Sequence, residues 1–203
     1  MLNQALEIDH NASRVLLIET LSDKTRSIRE KLGQLGGYEV EKLSKLDMAP
    51  AIVEIGSPSY LVLSVDSLID MDLEPLTKIN EERPIPIIVL AQQHSDGAAK
   101  NAVAAGVTSY IVDDVSTERL PVIFDVAVER FCKEQSMSAE LQETKQKLAD
   151  RKLIEKAKGI LMDQNNIREA QAFKDIRRAA MNQGKTMVEL SQRIISLAEA
   201  LSS

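Results

Sequence analysis

The chain has 203 residues, 44% hydrophobic and 28% charged, with a net charge of −6, which fits one or two soluble globular domains with a real core. A single cysteine, Cys132, excludes an intramolecular disulfide and a cysteine metal cage and fits a reducing cytosol. With no Trp and 3% aromatics, the core must be built from Leu, Ile, Val, Ala and Met.

Residues 1–12 read as an N-terminal tail. The opening MLNQALEIDHNASR has neither a basic n-region nor an apolar h-region, so it is not a secretory signal. The longest apolar runs, such as IPIIVLA at 85–91, are too short to span a bilayer, so no membrane partner and a cytoplasmic location are expected. From 13 to about 125, short apolar runs alternate with amphipathic segments. The runs are RVLLIE (14–19), YEVEKL (38–43), YLVLSV (60–65), IPIIVLA (85–91) and TSYIV (108–112). Nearly continuous, β-branched-rich runs of this length suit strands buried on both faces of a parallel sheet. KTRSIREKLGQL, MDLEPLTKINEE and DGAAKNAVAAG lie between them as helices, so the pattern predicts a doubly wound α/β sheet of five strands.

After Thr117 no strand signal remains. Apolar residues recur at Phe124, Val128, Phe131, Met137, Leu141 and Leu148 with charges between them, which predicts one long helix to about Gln164. Its linker portion, 126–150, can pair as a coiled coil and give a homodimer; a solvated single helix is the alternative. Two further helices follow in the 151–203 domain. Arg168–Asn182 places Ala172, Phe173, Ile176 and Ala179/Ala180 on one face, and Thr186–Leu201 does so with Val188, Leu190, Ile194, Ile195 and Leu197. Asn165-Asn166 and Gln183-Gly184 supply turns, and Thr186 with Glu189 forms a capping box.

Charge is divided unevenly along the chain. Residues 151–185 carry nine Lys/Arg against four acids, an excess of +5 inside an acidic chain. That is the footprint of a polyanion-binding module. The wording there is also specific: RKLIEKAKGILM, then AF, then RRAAM. From about Leu148 to Ile195 it resembles the ANTAR domain, the RNA-binding module of AmiR- and NasT-type transcription antiterminators. The resemblance implies an all-α three-helix module that binds tandem hairpins with short loops in leader RNA, so that an overlapping terminator cannot form. Carried over by motif position, Ala157, Lys158, Gly159, Arg177, Ala180 and Met181 are the recognition set, with Arg151, Lys152, Lys156 and Arg178 on phosphates. Leu161, Met162, Phe173 and Ile176 are expected in the core, which argues against aromatic base stacking. Gly159 within a helix costs about 1 kcal/mol relative to Ala. Close helix packing and close ligand approach are both reasons for it.

The five strand–helix units resemble a response-regulator receiver. That resemblance implies acids after the first strand for Mg²⁺, a phosphoacceptor Asp on the third, a hydroxyl after the fourth and a Lys after the fifth. This chain has Glu19-Thr20, Ser64, Ala91 and Asp113 at those positions. An acid in place of the lysine repels a phosphoryl group, so the site reads as degenerate. A two-residue slip would make Asp66 the acceptor, still without metal or counter-charge; a loop-capping Asp is the preferred reading. Control by a partner sensor protein on the receiver, in a NasT-type response to nitrate or nitrite, is what the family likeness implies. No catalytic constellation, cofactor motif or metal-ligand spacing is evident, and His10 and His94 are distant in sequence, so no enzyme activity, cofactor or metal is expected. The rival readings are a DNA-binding response regulator and a pure protein-interaction module.

Overall fold

The computed structural model describes residues 13–20, 27–69, 71–93 and 95–201. The expected N-terminal tail, with His10, and His94 lie outside the described residues. The chain divides into two compact units, 1–134 and 135–203.

The first unit is a five-stranded parallel sheet: β1 (Ser13–Glu19), β2 (Tyr38–Leu43), β3 (Tyr60–Val65), β4 (Ile87–Ala91) and β5 (Ser109–Val112), ordered β2-β1-β3-β4-β5. Alternate side chains of each strand feed opposite faces. Leu16, Ile18, Leu61, Leu63, Ile87 and Val89 pack under α2 (Ala49–Gly56), α3 (Glu74–Glu82) and α4 (Ala98–Ala104). Val15, Leu17, Tyr60, Val62, Ile88 and Leu90 pack under α1 (Ile28–Leu35) and the start of α5 (Leu120–Asn165). All six residues of β3 are buried, which explains its uninterrupted apolar spelling. Gly106 holds a left-handed φ of 88° beside Asn80, where an added Cβ would lie 2.6 Å from the Asn80 side chain.

The sequence pattern did not single out α2. It is an eight-residue apolar run that buries Ala49 and Val53 but leaves Ile55 87% exposed, so its amphipathic signal is blurred. In α5, Phe124 and Phe131 are buried and Val128 is half-buried. Phe131 is thus closed to the coiled-coil seam it was expected to join. Met137, Leu141 and Leu148 are more than half exposed, and every residue from 136 to 149 is exposed.

The second unit holds the later turns of α5, then α6 (Glu169–Asn182) and α7 (Met187–Leu201). Ala157, Ile176, Ala180, Leu190 and Ile195 form its core, flanked by Leu153, Ile160, Leu161, Met187 and Ile194. The turns are those the sequence predicts: Asn166 stands at φ 48° and Gly184 at φ 62°. The capping box is formed as well. Thr186 N–H donates to the Glu189 carboxylate at 2.8 Å, and Glu189 N–H donates back to Thr186 Oγ1 at 3.1 Å. Phe173, expected in the core, and Leu197, expected on the apolar face of its helix, lie outside the core. Phe173 is 40% exposed and Leu197 63% exposed, because each lies off its helix's buried stripe.

Candidate functional site

In parallel α/β sheets, ligands gather at the carboxyl ends of the strands. The strand register brings the receiver-like positions there. Glu19 pairs with Ser64, Ser64 with Leu90, and Val65 with Ala91, which in turn pairs with Val112, just before Asp113. Ser64 and Ala91 are buried, whereas Asp66 and Asp113 are exposed. Asp113 takes a left-handed φ of 86°, which Asp tolerates better than most residues.

Glu19 is already occupied. Its carboxylate accepts from Ser27 Oγ at 2.8 Å, from Ile28 N–H at 2.9 Å and from Lys42 Nζ at 3.2 Å. It therefore caps the N-terminus of α1. Burial pushes its pKa up, but the Ser27, Ile28 and Lys42 interactions together outweigh burial and hold it below the usual glutamate value. Lys31, which the sequence reading did not single out, is buried on α1. Its ammonium bonds to Asp114 at 2.5 Å and to the Val115 carbonyl at 2.7 Å, just after β5. The available signal was its spacing of three from Ile28 and one from Leu32, on the buried face of α1. Among the described residues, no group of three His, Cys, Asp or Glu side chains is arranged to hold a metal ion.

The second unit presents the cationic surface. Arg151, Lys152, Lys156, Arg177, Arg178 and Met181 are exposed. Lys156 pairs with Glu199 at 2.7 Å and Arg178 with Asp175 at 2.8 Å. Arg151, Lys152 and Arg177 make no ion pair among the described residues. Ala157 and Ala180 are buried between helices, so their small side chains serve helix packing rather than surface contact. Lys158 is also buried, its ammonium held by Glu155 at 2.8 Å and Glu169 at 2.7 Å. Glu155 and then Glu169 raise its pKa above the usual lysine value.

Gly159 is half-buried, yet an added Cβ there would meet nothing within 4 Å among the described residues. Helix packing among the described residues therefore does not require it. On a 3.6-residue helix it shares a face with Lys152 and Lys156. Arg177 lies instead on the groove formed by Lys158, Glu169, Ala170, Phe173 and Lys174, with a volume of about 500 Å³.

A parallel sheet of order β2-β1-β3-β4-β5 is the arrangement shared by flavodoxin and CheY-like receivers. It is followed by a basic three-helix unit, so the chain joins a receiver-like sheet to a cationic helical module. Residues 142–195 match the family model of the ANTAR domain. The transcriptional regulatory protein PdtaR of Mycobacterium tuberculosis is 28% identical over 182 residues, covering 90% of this chain and 89% of that protein. The nitrate regulatory protein of Klebsiella oxytoca is 38% identical over 63 residues, 31% of this chain and 16% of its own length. Among solved structures, a CheY-like response regulator receiver domain protein from Methanospirillum hungatei is similar at 23% identity and a TM-score of 0.49, over 61% of this chain and 98% of that one. Residues 142–195 thus match the ANTAR domain, behind an N-terminal unit whose sheet order is that of receivers. No described helix is long and apolar enough to cross a membrane.

Proposed function

We propose that this protein is a transcription antitermination regulator that acts without catalysis in the cytoplasm. Its ANTAR domain binds two short-loop hairpins in leader RNA and denies the RNA an overlapping terminator hairpin. The observation that carries this reading is an ANTAR domain with exposed Arg151, Lys152 and Arg177 in a segment of +5 on an otherwise acidic chain. Close backbone approach at Gly159 supports it, because no side chain among the described residues fills the space beside that glycine. PdtaR is named a transcriptional regulatory protein, which agrees with this level of control.

Two hairpins match two protein copies, since linking binding events raises avidity without new contacts. Met137, Leu141 and Leu148, with Thr144 between them, lie along one helical stripe and supply a homodimer seam. The receiver-like unit takes its input from a partner sensor protein rather than from a phosphoryl group. Glu19 is committed to α1, and Ser64, Ala91 and Asp113 lack the chemistry of phosphorylation. Nitrate or nitrite is the proposed signal, on family likeness and on the name of the Klebsiella oxytoca relative.

In vitro transcription tests the reading. The template encodes two tandem hairpins, the second overlapping an intrinsic terminator. Added protein should increase read-through, and disrupting either hairpin loop should abolish the increase. Unchanged termination with an intact, bound leader would contradict it.

A further inference from the structure

We propose that the groove along α6 takes an unpaired guanine everted from an RNA loop, stacked on Phe173 and read by the Glu169 carboxylate; this rests on the RNA-binding reading above. Glu169, Ala170, Phe173, Lys174 and Arg177 recur along α6 at spacings that put them on one face, and Lys158 of α5 closes the side. The core of α6 is made by Ala172, Ile176 and Ala180, and Phe173 stands one residue off that stripe, 40% exposed. A flat aromatic left open beside cations offers a stacking platform for a base.

The charges favour a base beside Glu169, with phosphates next to the unpaired cations of the same lining. Lys158 is neutralised by Glu155 and Glu169, so it offers the groove no unbalanced charge. The hydrogen bond from Lys158, with its charge, holds Glu169 ionised, below the usual glutamate range. An ionised carboxylate repels phosphate and accepts N–H donors. Guanine is the standard base with two adjacent donors on its pairing edge, N1–H and the 2-amino group. Adenine and cytosine each set an acceptor nitrogen beside their amino group, and uracil flanks its single N–H with carbonyls. Lys174 and Arg177, which also line the groove, make no ion pair among the described residues, which leaves them for the phosphates on either side.

The test uses the full chain and a hairpin RNA pool with a fixed stem and a randomised short loop. Wild type should enrich guanine at one loop position. Phe173→Leu should weaken binding to the selected hairpin by about 10-fold or more, while Phe173→Trp keeps it, since base–aromatic stacking is lost only in the first. Equal thermal unfolding of the two variants separates stacking from folding. Glu169→Gln should abolish the preference for guanine over inosine and adenine without weakening the adenine loop, because it also removes a negative charge. Two results would overturn the groove: Phe173→Leu within about twofold of wild type on a scale where stacking costs several-fold, or an unchanged guanine preference in Glu169→Gln. If they occur while hairpins still outcompete duplex DNA, the RNA reading stands and the groove falls. If wild type retains no hairpin at all, both fall.

Discussion

Gly159 separates stability from function at a single residue. A Cβ there has open space, so Gly159→Ala should stabilise the helix by about 0.5–1 kcal/mol. The same methyl group stands on the face of Lys152 and Lys156, so it should weaken hairpin binding while raising the melting temperature. A variant that is more stable and binds RNA as well as wild type would remove Gly159 from the interface. Glu19 makes a different prediction. Its folded pKa is lowered, so its capping of α1 contributes fully above the unfolded glutamate value and is lost as pH falls through the folded one. Glu19→Gln should therefore cost about 1 kcal/mol at neutral pH, a typical cap loss, and the difference should shrink in acid denaturation scans. A difference independent of pH would show that charge at Glu19 is immaterial. At this scale the sequence misled on Phe173 by one position. Ala172 takes the buried phase, and a step of about 100° turns its neighbour outward. Lys31 escaped notice because a lysine on a buried face is legible only once Asp114 and the Val115 carbonyl are known to meet it.

Elements were more legible than side chains. Each of the five apolar runs became a strand within one or two residues of its expected ends, because burial on both faces writes itself as continuous hydrophobicity. The Thr186–Glu189 box and the Asn166 and Gly184 turns were readable for a local reason: capping and left-handed backbone need particular residues. Helix α2 was not, since its exposed Ile55 erases the contrast between faces. In α5 the apolar recurrence mixes two purposes. Phe124 and Phe131 are buried, while Met137, Leu141 and Leu148 are exposed. Leu141→Asp with Leu148→Asp should give a monomer in sedimentation equilibrium without lowering the helical signal. An unchanged solution mass would place the dimer elsewhere or leave the helix single.

For the molecule as a whole, the sheet order is that of receivers, and the input proposed for it is a partner protein rather than a phosphoryl group. Incubation with acetyl phosphate and Mg²⁺ should leave the intact mass unchanged. Addition of one phosphoryl group, lost in Asp66→Asn, would restore phosphorylation as the input. The central claim is that the ANTAR domain recognises RNA hairpins and not merely negative charge. The most direct measurement is the equilibrium affinity of the full chain for a two-hairpin leader RNA and for duplex DNA of equal length, across a salt series. The account predicts tighter binding to the hairpins at every salt concentration, with a log–log slope of roughly −0.7 per phosphate contacted in single-stranded regions. Equal or tighter binding to duplex DNA, with the hairpin loops dispensable, would contradict it.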